Sequence, residues 1–205
     1  TLEAGRVPAR VGAPARGAGA RTSGGRRRVA FVSAFLRDGT VGRYFESWIT
    51  GLPRDRFEVL VHHVGHGDDA LTARIRARAD AFVPHGGARA LEIAQAIAAA
   101  APDAVVYPEL GMDATTFALA ALRLAPLQCA GWGHPVTSGL ATIDAMFTPG
   151  TMEPAAGDVH YRERLVRLPG LGTRYARPAL PARASRESLG LPAGGALLLF
   201  PQSLF

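Results

Sequence analysis

Short apolar runs that alternate with stretches of helical periodicity constrain this chain more than any other feature. The first run, residues 29–35, is almost continuously apolar, as in a strand covered on both faces. Further strands are predicted at residues 57–63, 81–84, 103–108, 127–132, 145–148 and 165–168. Between them, Tyr44, Phe45, Trp48 and Ile49 recur at helical spacing within residues 41–52. Other helices are predicted at 71–79, at 91–100 (stopped by Pro102), at 114–124 and near 154–164. Such alternation means a parallel sheet with crossover helices. The expected fold is therefore α/β, a Rossmann-like parallel sheet with helices on both faces, over residues 28–172.

The flanks read differently. Residues 1–27, rich in Gly, Ala, Pro and Arg, are expected to be a flexible basic linker. Residues 173–194 are proline-rich without strong periodicity and read as an interdomain linker. Ala196-Leu197-Leu198-Leu199-Phe200 then looks like a new buried strand. One strand cannot bury itself, so residues 195–205 are read as the first strand of a second domain cut short.

Charge excludes an obvious function. The chain has a net charge of +6, but residues 1–28 hold seven of its 23 basic residues and one of its 17 acids. Sixteen of each remain for the body, which is neutral and lacks the basic face a nucleic-acid binder needs. No apolar run reaches the roughly 18–20 residues of a membrane span, and residues 1–28 lack the apolar core of a secretory signal. The one cysteine, Cys129, falls in a predicted strand and is expected to be a buried thiol. These features together point to a cytoplasmic protein.

The chemistry concentrates in Gly131-Trp132-Gly133-His134-Pro135-Val136-Thr137-Ser138-Gly139. It follows a strand, at the edge where α/β proteins bind ligands. Glycines there admit close backbone approach, and Thr137 and Ser138 are placed to cap a following helix. His134 can serve as acid, base or hydrogen-bond donor. Glu109 and Asp113 end the fourth strand, where they either face a ligand or cap the next helix. His62, His63 and His66 suggest a metal cluster, but adjacent residues of a strand point to opposite faces, and a solvated turn is the expectation. Tyr44, Phe45 and Trp48 are read as a core face rather than a sugar-stacking platform. Gly170-Leu171-Gly172 is too short for a phosphate loop, and no Gly-x-Gly-x-x-Gly follows the first strand, which weighs against a nicotinamide enzyme.

Trp132-Gly133-His134-Pro135-x-Thr137-Ser138-Gly139, followed by Thr142-Ile143-Asp144, resembles the catalytic region of the O-linked N-acetylglucosamine transferases and the related SPINDLY-type protein O-fucosyltransferases. Phe57-Glu58-Val59, Pro108-Glu109-Leu110-Gly111-Met112-Asp113, Leu122-Arg123-Leu124-Ala125-Pro126-Leu127-Gln128, Met152-Glu153-Pro154, His160-Tyr161 and Glu163-x-Leu165-Val166-Arg167-Leu168-Pro169 agree in the same order.

The resemblance implies the first lobe of a GT-B glycosyltransferase, often preceded by tetratricopeptide repeats. It implies an inverting, metal-free transfer of a sugar from a nucleotide diphosphate to Ser or Thr of protein acceptors. UDP-N-acetylglucosamine would be the co-substrate, no cofactor is required, and neither nucleic acid nor membrane is a partner. It places Gly133, His134, Pro135, Thr137 and Ser138 beside sugar and acceptor, with Thr40, Glu109 and Asp113 contributing to substrate binding. Ser203 and Phe205 would belong to the donor site of the second lobe, so the 205-residue chain alone is expected to be inactive. One position departs from the pattern. Many relatives carry a histidine in the loop after the first strand, and that position falls on Gly39. Asp38 is the nearest substitute base; otherwise a donor phosphate oxygen takes the proton, or activity is reduced. The rivals are a non-catalytic transferase-derived binding lobe, a protein O-fucosyltransferase and a small-molecule enzyme such as a sugar epimerase.

Overall fold

In a computed structural model, residues 25–175 and 182–200 are described, and the chain divides into two compact units at Tyr175 and Ala176. The first unit is one sheet of seven parallel strands: β1 (Arg27–Ser33), β2 (Phe57–His63), β3 (Ala81–Pro84), β4 (Ala104–Tyr107), β5 (Leu127–Ala130), β6 (Ala145–Pro149) and β7 (Arg164–Leu168). Their spatial order is β3-β2-β1-β4-β5-β6-β7. The helices are α1 (Thr40–Thr50), α2 (Ala70–Arg78), α3 (Ala90–Ala99) and α4 (Ala114–Ala120).

Alternation along the strands sends side chains to two separate cores. Ala30, Val32, Leu60, Val105 and Tyr107 pack with Ile93 and Ile97 of α3 and Leu119 of α4. Phe31, Val59, Val61 and Val106 pack with Ile49 of α1 and Leu71 and Ile75 of α2. Burial on both faces explains why β1 and β2 read as apolar runs, and the expected Rossmann-like architecture is observed. Asp69 starts α2, its Oδ1 accepting the amides of Leu71 (2.9 Å) and Thr72 (3.0 Å).

Some elements differ from the sequence expectation. α4 stops at Ala120, and side chains take the two groups whose bond would have extended it: Thr142 Oγ1 donates to Ala120 O (2.6 Å) and Leu124 N donates to Gln128 Oε1 (3.1 Å). The helix expected near 154–164 is only a 3-10 turn at Gly157–His160. Arg167 Nη2 there donates to both Pro154 O (3.1 Å) and Asp158 Oδ2 (2.6 Å). β5 reaches β6 without any helix, through residues 131–144.

His62 and His63 are not in a solvated turn; both are buried at the end of β2. His62 Nδ1 lies 2.9 Å from His85 Nε2, the two rings stacked. Burial, reinforced by His85, pushes the His62 pKa down to about 4, so the pair is neutral.

In the second unit, residues 196–200 form no strand, and Leu198 and Phe200 are 82% and 83% exposed. A strand requires a ladder partner, and the described residues of that unit supply none.

Candidate functional site

The strand order reverses between β1 and β4. The chain leaves β1 toward β2 on one side and β4 toward β5 on the other, so the loops beyond these strands part and leave a crevice at their carboxyl ends. Residues 34–39 and 108–113 form its lips. Residues 131–139, leaving the next strand over, adjoin the second lip.

That second lip is stitched to its neighbour by main chain. Gly131 N donates to Tyr107 O (2.8 Å) and Gly133 N to Pro108 O (2.9 Å). A Cβ at Gly133 would lie 2.7 Å from Pro108 O and 2.8 Å from the Glu109 Cβ. The glycine is therefore required by packing of the two loops on each other. His134 rests on Gly111, whose φ of +106° and lack of a side chain make room for the ring; a Cβ there would lie 2.6 Å from His134 Cδ2. His134 and Gly133 are half-buried, and Pro135 is exposed beside them.

Glu109 and Asp113, alike in sequence terms, part company. Asp113 is the N-cap of α4, its Oδ1 accepting Thr116 N at 2.8 Å. Glu109 instead reaches across the crevice, its Oε1 accepting Ala34 N at 2.9 Å. Only 1% of Glu109 is exposed, and its Oε2 has no protein partner. Burial pushes this carboxyl up to about 7, against the lowering effect of the Ala34 amide. The charged residue acting on it is Asp113, which raises it further.

Asp38 and Thr40 stand on the opposite lip, exposed, where Gly39 is the N-cap of α1. Asp38 pairs with Arg43 at 2.6 Å, and that hydrogen bond holds its carboxyl below the usual aspartate value. A carboxylate held this way is a weaker base than an unpaired aspartate. The Gly39 position itself is open, since a Cβ there would meet only Arg37 O, at 4.0 Å.

Thr137 and Ser138 require a correction. No helix follows them to be capped, and their hydroxyls bond within the chain. Thr137 Oγ1 donates to Glu163 Oε2 (2.7 Å) and accepts the amides of Gly139 and Arg162, each at 3.2 Å. Ser138 Oγ donates to Glu163 Oε1 and accepts Leu140 N (3.2 Å), while Ser138 N also donates to Glu163 Oε1 (2.8 Å). Glu163 is the residue that sequence reading missed as part of this site. Its segment carried part of the family resemblance, but nothing in the sequence tied the acid to partners 25 and 26 residues away.

The aromatic residues of α1 are packing elements, as expected. Phe45 is fully buried, with ring centroids 4.8 Å from Trp48 and 5.2 Å from Trp132. Trp48 Nε1 donates to Gly172 O (2.6 Å), and Thr173 Oγ1 bonds to Ser47 Oγ (3.0 Å), so the chain after β7 is tied across α1. Ser203 and Phe205 lie outside the described residues. Among the described residues no group of three His, Cys, Asp or Glu side chains is placed to hold a metal ion, and no helix is long and apolar enough to cross a membrane.

Comparison with known proteins bears on this geometry. A mutant of the Thermobaculum terrenum O-GlcNAc transferase matches 70% of this chain with a TM-score of 0.66 and 29% sequence identity. The unit thus has the fold of an O-GlcNAc transferase-like GT-B lobe. The chain spans 28% of that protein's length. No family model matches the sequence, and no curated protein matches it.

Proposed function

We propose that this chain is the N-terminal catalytic lobe of an inverting protein O-glycosyltransferase that moves N-acetylglucosamine from a nucleotide diphosphate to Ser or Thr side chains. The observation that carries this reading is the placing of the His134 segment at the lip of a switch-point crevice, in a lobe folded like an O-GlcNAc transferase. Inverting transfer is an in-line displacement. The acceptor oxygen bonds to the anomeric carbon as the bond to the diphosphate breaks, and the hydroxyl proton passes to a side-chain base or to a donor phosphate oxygen. Positioning and electrostatic stabilisation supply most of the acceleration.

Within this lobe His134 is the group best placed to meet acceptor or sugar, being half-exposed at the crevice with its ring seated on Gly111. Pro135 flanks it. Asp38, held by Arg43, and Thr40 stand exposed on the opposite lip. Glu109 shapes the crevice from beneath instead of touching substrate, because it is buried. The donor nucleotide belongs to a second lobe, so the 205 residues alone should not turn over.

The test supplies the full-length protein with radiolabelled nucleotide sugars and Ser/Thr peptides. Transfer of N-acetylglucosamine is expected. Folded protein that transfers no sugar from any donor removes the enzyme reading. In that case the open Gly39 position and the Arg43-bound Asp38 favour a second reading, a transferase-derived lobe that binds without catalysis. Transfer of fucose alone would move the protein to the fucosyl branch.

A further inference from the structure

The segment bearing His134 is fixed at both ends. Upstream, Gly131 and Gly133 are bonded to the main chain after β4. Downstream, Thr137 and Ser138 are bonded to Glu163. Only His134, Pro135 and Val136 lie between the two anchors, and the turn they form is closed by Val136 N donating to His134 O (2.9 Å). A three-residue bridge between fixed ends has little freedom, so its geometry is set by where the ends are held.

The downstream anchor differs in kind from the upstream one. It is a single carboxylate, 5% exposed, that receives three donors from two adjacent residues. Such charge-assisted bonds are the stronger class, and their geometry is specific to a two-oxygen acceptor. The bonds of the two hydroxyls hold the segment: both donate to Glu163, Thr137 Oγ1 accepts from Gly139 and Arg162, and Ser138 Oγ accepts from Leu140. The neighbouring chain is itself held, with Tyr161 Oη and Thr148 Oγ1 both donating to Glu163's counterpart Glu153 (2.6 and 3.1 Å).

We infer that Glu163 is a positioning residue for His134, setting the reach of that side chain into the crevice by clamping Thr137 and Ser138. The catalytic part of this inference rests on the transferase reading; the clamp does not.

The experiment compares full-length wild type with Glu163→Ala, Glu163→Gln and Thr137→Val by hydrogen exchange and by transfer kinetics. In Glu163→Ala, amides of residues 138–140 and 162 should exchange at least about tenfold faster while β1, β2 and β4 stay protected. The His134 ring resonances should shift with them. Glu163→Gln, which keeps one acceptor oxygen, should restore part of the protection. In an active enzyme, Glu163→Ala should lower kcat by roughly 10- to 100-fold with a smaller change in KM, and Glu163→Gln should recover part of it. Unchanged exchange and ring resonances, or exchange raised equally throughout the sheet, overturns the clamp. Faster exchange with kcat untouched overturns the positioning role. If wild type transfers nothing, the transferase reading fails, and exchange and the His134 resonances still decide the clamp. Should Glu163→Ala fail to fold, Glu163→Gln and Thr137→Val decide by the same readouts.

Discussion

The amide of Gly133 donates to the carbonyl of Pro108 at 2.9 Å, binding the loop after β5 to the loop after β4 along their backbones. The contact tolerates no side chain at Gly133, where a Cβ would press on both Pro108 and Glu109.

Gly133→Ala should therefore destabilise the protein by roughly 1–3 kcal/mol, as overpacking does. Gly139→Ala should cost only about 1 kcal/mol: its φ is +69°, but nothing lies within 4 Å of the added carbon. Urea denaturation of the two variants checks the difference, and equal losses would refute the packing account.

Glu109 and His62 should tilt stability in opposite directions across one pH window. The Glu109 carboxyl is raised from 4.5 to about 7 in the fold, so its contribution is full below about 4.5 and lost as pH rises through 7. The His62 ring is lowered from 6.5 to about 4, so its contribution is full above about 6.5 and lost as pH falls through 4. Glu109→Gln leaves the histidine slope exposed, and stability should then rise between pH 4 and 6.5 more steeply than in wild type. His62→Gln should make it fall between pH 4.5 and 7. Each effect is on the order of 3 kcal/mol across its window. Denaturation midpoints at half-unit pH intervals test both, and parallel profiles for the two variants would contradict the assignment.

Gly39→Ser should stabilise α1 by a few tenths of a kcal/mol, since the N-cap lacks a side-chain acceptor and its backbone is extended. Gly39→His should fold with stability within about 0.5 kcal/mol of wild type, because the position faces open space. If a base at this site matters to transfer, the histidine variant turns over faster. An unchanged rate places the proton acceptor elsewhere.

Asp38→Asn should leave thermal stability almost unaltered, because an exposed pair with Arg43 contributes little. It should also change transfer less than His134→Ala does. The reverse ranking of the two variants in kcat would restore Asp38 as the base.

Strands and helices were legible because each side chain's periodicity answers to burial on one or two faces; β1, β2 and α1 are cases where pattern and packing coincide. The 3-10 turn at Gly157–His160 and the early end of α4 were not legible. In both, side chains from later in the sequence take groups a longer helix would have used: Arg167 the Pro154 carbonyl in one case, Thr142 the Ala120 carbonyl and Gln128 the Leu124 amide in the other. The buried His62–His85 pair was hidden for a related reason: two polar rings satisfy each other, which no local window can register. At the site, the His134 motif stood out as a glycine-rich turn after a strand, and the family resemblance supplied its expected role. What Thr137 and Ser138 do there could not be read, since that depends on a carboxylate arriving from the far side of β6.

The bond from Ala34 to Glu109 has a mechanical consequence. It joins the lip after β1 to the lip after β4, while the loops after β4 and β5 share main-chain bonds. A molecule entering this cleft therefore meets walls that are already braced, by a buried carboxylate at the bottom and by ring packing between α1 and the histidine-bearing loop.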